Sequence, residues 1–160
     1  MITFLVVALI SGCNSPLTAK TGDTVKVDYT GKLADGTVFD SSIGKAPIEF
    51  TIGSGQMIKG FDNAVLGMKV GQSKTVALPP EDAYGGHNDA LVITVDKSQM
   101  GPGVNPTVGQ KLTVTHPDGT ISTVVVTAVT ATSVTVDANN PLAGKTLTFD
   151  IKLVSITPKK

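Results

Sequence analysis

A chain of 160 residues has room for one domain, or for one domain with a small second lobe. All of its basic side chains are lysine, and thirteen of them balance thirteen acids to a net charge of zero. Without a basic cluster in the sequence, this balance argues against a nucleic-acid partner and equally against an electrostatic membrane-surface role.

The chain starts with a largely apolar run, Ile2 to Ile10, too short to cross a bilayer as a helix. It leads into Ile10-Ser11-Gly12-Cys13, and an apolar core followed by small residues is the layout of an export signal. Ile-Ser-Gly-Cys resembles a prokaryotic lipobox, in which the cysteine is lipidated and becomes the new N-terminus. On this reading residues 1–12 are a lipoprotein signal peptide, Cys13 carries the lipid and residues 13–21 are a tether. The protein is then exported to the cell envelope and anchored to a membrane. One departure is a leader without Lys or Arg. The competing reading is an apolar N-terminal strand with an incidental thiol. Either way, a single cysteine excludes an intrachain disulfide.

Thr24 to Thr30 alternates, with Val25, Val27 and Tyr29 on one face, which predicts a strand. Asp35-Gly36 forms a turn, after which Val38-Phe39-Asp40 resumes the strand. Ile48 to Ile52 is a further short strand. From Gly53 to Met68 the period changes: Ile58, Phe61, Val65 and Met68 recur on one helical face. The pattern predicts a helix over residues 57–66, with Ser54 as its N-cap and glycines 67 and 71 at its end. N–H groups in the first turn of such a helix have no intrahelical acceptor and here lie beside apolar side chains. A greasy ligand that carries a carbonyl suits them. Ser73 to Leu78 is predicted as a strand closed by Pro79-Pro80, and Glu81 to Gly86 as an acidic, glycine-rich loop around Tyr84.

From about Asn88 the texture becomes Thr/Val-rich. Strands are predicted at Leu91–Val95, Lys111–His116, Ile121–Val129 and Ser133–Asp137, with a hairpin turn at Pro117-Asp118-Gly119. Thr146 to Ile156 then alternates over most of its length, with Leu147, Phe149, Ile151 and Leu153 inward, and is placed centrally in the first sheet. The expected organisation is a discontinuous domain, residues 22–87 and 139–157, interrupted by an inserted β-rich lobe over 88–138.

Five segments stand in register: Val27-Asp28-Tyr29-Thr30-Gly31, the Asp35–Ser42 run, the Met57–Phe61 run, Val70-Gly71-Gln72 and Ala83-Tyr84-Gly85. In order and spacing they resemble the FKBP-type peptidyl-prolyl cis-trans isomerases. Asn139 to Gly144, followed by Leu147-Thr148-Phe149, is similar to the closing strand of the SlyD-like branch. In that branch an insert-in-flap chaperone lobe replaces the loop after Ala-Tyr-Gly. The resemblance covers residues 22–157. It implies an α+β fold, an FKBP-like curved antiparallel sheet wrapped on a short helix, with an inserted small β-rich lobe. Phe61 stands where eukaryotic members usually carry Trp, and Asn140 where SlyD-like members usually carry His.

Rotation about a prolyl imide faces a barrier of ~18–20 kcal/mol set by amide resonance and needs no nucleophile. An apolar pocket that strips water from the carbonyl disfavours the planar, charge-separated form and so binds the twisted one better. A thousandfold acceleration requires only about 4 kcal/mol. The resemblance implies Tyr29, Asp40, Ile58, Tyr84 and Phe149 as catalytic residues, with Phe39, Phe50, Met57, Phe61 and Leu142 binding substrate. Ile58 would offer its N–H to a substrate carbonyl, Tyr84 its hydroxyl to the neighbouring carbonyl, and Asp40 would sit at the edge bonded to Tyr29. Taken singly, these aromatics read as plain core and Asp40 as a turn residue.

His87 and His116 are too few for a histidine-only metal site, and no cofactor or metal is expected. Expected partners are unfolded or proline-containing client polypeptides, met by a monomer and retained by the inserted lobe. The alternatives are a non-catalytic chaperone or binding module on the same scaffold, and a structural envelope lipoprotein.

Overall fold

The computed structural model describes residues 17–160 except 102, 116 and 117. The export-signal reading, Cys13, and His116-Pro117 of the predicted hairpin lie outside the described residues. Among the described residues nine strands and one α-helix follow one another, with three short 3-10 turns between them: β1 (Thr24–Lys32), β2 (Val38–Ser41), β3 (Ile48–Thr51), α1 (Lys59–Val65), β4 (Ser73–Leu78), β5 (Val92–Asp96), β6 (Lys111–Thr115), β7 (Ile121–Val129), β8 (Ser133–Asp137) and β9 (Leu147–Thr157). They build an antiparallel α+β fold in two sheets.

The larger sheet runs β2-β1-β9-β4, with β3 also pairing β1. β3 pairs the first half of β1 (Val25↔Phe50, Val27↔Ile48) and β2 its end (Thr30↔Ser41). Ser42 fills the junction between them: its N–H donates to Tyr29 O at 3.0 Å and its Oγ accepts from Tyr29 N at 2.9 Å. β9 lies between β1 and β4 and buries Leu147, Phe149, Ile151 and Leu153, the four positions its alternation assigns inward. α1 presses Phe61, Ala64 and Val65 onto this face, where Val25, Val27, Phe50 and Ile52 complete the core.

The helix is shorter than its apolar period suggests. It spans seven residues, with Ile58 as N-cap and no side-chain cap bond. Ser54 does not cap it, because its hydroxyl is spent inside the preceding turn, donating to Thr51 O at 2.7 Å. Gly53 (φ +81°) and Gly55 (φ +78°) take that turn through left-handed backbone, and Met57 and Ile58 reach α1 still outside the helix. At the other end Gly67 (φ +76°) stops the helix, as predicted.

The stretch read as a tether is held down from Leu17 onward. Thr18 bridges to Lys69, Ala19 N donates to Met68 O at 2.9 Å, and Ala19 is buried in the core. Asp23, also buried, accepts from the N–H of Lys20 and of Lys159, each at 3.0 Å, and so ties both ends of the described chain together. Polar composition alone concealed this anchoring.

β5 to β8 form a second, four-stranded antiparallel sheet in the order β5-β8-β7-β6. It buries its own cluster of Val124, Val126, Val134 and Val136. The two connections to the larger sheet run side by side, joined by Ala138 N to Leu91 O at 3.0 Å and Gly144 N to Gly85 O at 2.8 Å.

Candidate active site

Six parts of the fold converge on one cleft. β1 supplies Tyr29, β2 supplies Phe39 and Asp40, and β9 supplies Phe149. The segment leading into α1 supplies Gln56, Met57 and Ile58, the helix itself Phe61, and the loop after β4 supplies Tyr84. These nine residues line a cavity of about 280 Å³. Phe61 is its fully buried floor, with ring centroids 5.7 Å from Tyr29 and 5.3 Å from Phe149, both near-perpendicular. Phe39 stands edge-on to Phe149 at 5.7 Å. Edge-to-face packing of this kind fixes ring orientation as well as burying area.

Gly31 makes the closeness of these rings possible. A Cβ at that position would sit 2.6 Å from Phe39 Cζ and 3.1 Å from Phe149 Cε1. Tyr84 is held at the rim by the tight turn around it, in which Gly85 N donates to Pro80 O at 2.7 Å, and it stays substantially exposed.

Two polar features face the apolar walls. The Tyr29 hydroxyl donates to Asp40, whose other oxygen accepts from Ser41 N at 2.8 Å. Burial, and then the bond to and charge of Asp40, push the Tyr29 phenol up to about 12, so it remains a donor. With both oxygens engaged, Asp40 is placed as a fixed negative edge rather than a free base. The second feature is Ile58: its carbonyl accepts the first helical bond from Asp62 N at 3.1 Å, while among the described residues no hydrogen bond uses its N–H. A donor at the edge of an apolar cleft, with no nucleophile required, fits an amide carbonyl.

Not every residue expected in the pocket lines it. Phe50 is 3% exposed and packs beneath Phe61, ring centroids 5.9 Å apart, so it supports the floor from below. Leu142 packs half-buried against the core and is not part of the cleft wall. Gln56, which the sequence did not single out, lines the cleft while its Oε1 accepts from Thr51 N at 3.0 Å. The nearest sequence signal for it was the glycine-rich turn itself.

A larger hollow, about 400 Å³, lies on the outer face of the same sheet among Asp28, Thr30, Ser73, Thr75, Asp150 and Lys152. Asp150 within it is held at 2.7 Å by Lys32 and at 2.6 Å by Thr75.

The family model for the FKBP-type peptidyl-prolyl cis-trans isomerase matches residues 15–154. The chain belongs to this family. Among its FKBP-type relatives, "FK506-binding protein 2" of Yarrowia lipolytica is 49% identical over 81 residues, half of this chain and 56% of that protein. A "Short-type peptidyl-prolyl cis-trans isomerase" of Methanocaldococcus jannaschii is 36% identical over 87% of this chain and 94% of its own length. An "FKBP-type peptidyl-prolyl cis-trans isomerase SlyD" of Treponema pallidum is 34% identical over 82% of this chain and 74% of its own length. As an FKBP-type isomerase, the chain acts on the Xaa-Pro bonds of polypeptides.

Proposed function

We propose that the aromatic cleft is where this isomerase turns the Xaa-Pro imide, by desolvation and a few oriented hydrogen bonds. The observation that carries this reading is the unused Ile58 N–H at the edge of a cleft floored by Phe61. In it the proline ring rests on Phe61 between Tyr29 and Phe149, the Ile58 N–H takes a substrate carbonyl, and Tyr84 donates its hydroxyl to the next one. Apolar walls exclude water from the imide carbonyl, so the twisted state loses less on transfer than the planar one. Asp40, pinned by Tyr29 and the Ser41 amide, gives the cleft a negative edge beside the rotating carbonyl.

In this reading the second sheet holds the unfolded client while its prolines are processed, which raises their local concentration at the cleft. Leu91, Ile93, Val108 and Ile121 present apolar surface on or beside that sheet. Lipidation of Cys13 would place the activity in the cell envelope, and a diacylglyceryl adduct in the intact mass of the mature protein is the direct check.

A fluorescent Xaa-Pro tetrapeptide assay tests the cleft. Tyr84→Phe with Phe149→Ala abolishes most activity while the circular dichroism spectrum stays that of a folded protein; retained activity discredits the cleft. Replacing residues 89–137 by a short linker is expected to leave tetrapeptide turnover and to slow proline-limited refolding of a whole protein. Unchanged refolding would remove the client-holding role.

A further inference from the structure

We propose that the end of the isomerase domain carrying Leu17, Leu66 and Val70 seats on an anionic lipid bilayer, with Lys20 and Lys69 against the headgroups and the cleft turned away from the membrane. The proposal rests on the lipid-anchor reading of Cys13 for its biological setting, and the measurements below separate the two.

The chain leaves the domain at this surface. The antiparallel bridge between Thr18 and Lys69 sets Leu17 opposite Val70, and Leu66 lies at the C-cap of α1 just before the same turn. All three are open to solvent, at 49%, 53% and 38%. Cys13 precedes Leu17 by four residues, so a fully extended connection reaches only about 14 Å. A lipid on Cys13 therefore brings this surface, and not another, to the bilayer.

Charge favours the same surface. The zero net charge, which argued against electrostatic attraction to membranes, conceals a segregation along the fold. Residues 17–22, 63–80 and 151–160 contain no Asp or Glu and six lysines, Lys20, Lys69, Lys74, Lys152, Lys159 and Lys160. The fold brings these three stretches together through the Thr18–Lys69 bridge, Gly71 N to Leu153 O at 2.7 Å, and the Ser73↔Lys152 pairing. The nearby Asp23 is buried, and two backbone N–H groups engage it. Three apolar side chains rimmed by lysines supply the second signal that a single anchor needs for stable attachment.

The cleft and this surface lie at opposite ends of α1. α1 has seven residues, so it is about 10 Å long. Ile58 and the cleft stand at its N-terminal end, while Leu66 to Val70 follow its C-terminal end. Seating one end presents the other to clients in solution.

The chain has no tryptophan, so Val70→Trp installs a single reporter. It is introduced into the acylated mature protein and into the chain from residue 13 bearing Cys13→Ser, with Leu17→Trp as a second reporter should the first fail to fold. Vesicles are equal parts phosphatidylglycerol and phosphatidylcholine, or phosphatidylcholine alone. The expected result is a blue-shifted emission protected from iodide on the anionic vesicles in both forms, with Lys20→Gln/Lys69→Gln weakening binding of the unacylated form about thirtyfold. Acylated protein that floats with vesicles while the reporter stays open to iodide overturns the docking surface and leaves the anchor standing. No adduct and no flotation, with the unacylated form still shifting on anionic vesicles, removes the anchor and keeps the surface. A reporter buried in a dimer without lipid overturns the proposal in favour of a second copy of the chain.

Discussion

His87 Nε2 lies 3.1 Å from Asp137 Oδ2, joining the outgoing and returning connections between the two sheets. Beside this pair, Asn88 N donates to Asn139 Oδ1 at 2.9 Å, and the Asn139 amide nitrogen reaches Asp137 Oδ1 at 2.7 Å. His87 Nδ1 also meets Asp89, at 3.2 Å, so the imidazolium has a carboxylate on either side.

The linkage is pH-dependent with a definite sign. The bond to Asp137 raises the His87 pKa above 6.5, and the backbone and side chain of Asn139 lower that of Asp137 below 3.8. The histidine contribution is complete below pH 6.5 and is lost as pH rises through the raised value; that of Asp137 is complete above 3.8 and is lost on acidification. Amide exchange at Asn88, corrected for its intrinsic rate, is therefore expected to be slower just below pH 6.5 than well above it. His87→Ala removes the difference.

The Tyr29–Asp40 pair behaves in the opposite part of the pH scale. Its phenol titrates at about 12 against an ordinary 10.0, so its contribution is complete below pH 10 and lost as pH rises through the higher value. Turnover of an Xaa-Pro tetrapeptide should show no titration of the Tyr29 phenol across the neutral range. Tyr29→Phe releases Asp40 at a cost of about 1 kcal/mol, or roughly a fivefold fall in kcat/KM, which the same assay reads.

Gly31→Ala tests how tightly the cleft wall is fitted. The added methyl meets the ring of Phe39 at 2.6 Å and must push it aside. Chemical denaturation should register a loss of about 1–3 kcal/mol, accompanied by reduced kcat/KM. Gly86→Ala, which meets nothing within 4 Å, is the matched control and should stay within about 0.5 kcal/mol of the parent.

Much of the fold was legible because strand alternation is a local signal. β9 carries it over nearly its whole length, and β4, β7 and β8 begin and end where their patterns do. The helix start was not legible. Ile58 continues the helical apolar period, yet it is an N-cap with extended backbone (ψ 145°), and both it and Met57 face the cleft. An apolar side chain obeys the period whether it fills a core or a cleft. Pairing between Thr18 and Lys69 depends on backbone groups that composition does not encode. The sequence placed Phe50 and Leu142 among pocket residues by resemblance, and only packing reveals one beneath the floor and the other away from the wall.

Phe50 and Phe61 give the last test, because they touch each other and yet face different surroundings. Phe61 presents its ring to the cleft and packs against Tyr29, Phe50 and Phe149, whereas Phe50 packs against Phe61 and does not line the cleft. Replacing either by leucine keeps an apolar side chain of similar volume and should cost on the order of 1.5 kcal/mol in chemical denaturation. Their effects on catalysis should diverge. Phe61→Leu removes the flat floor on which a proline ring would rest, and kcat/KM for a tetrapeptide should fall about tenfold, equivalent to about 1.4 kcal/mol of transition-state stabilisation. Phe50→Leu should leave kcat/KM within about twofold of the parent, since the floor above it remains. Equal losses of activity from the two substitutions would mean that the ring stack acts as one unit and that Phe50 belongs to the site after all.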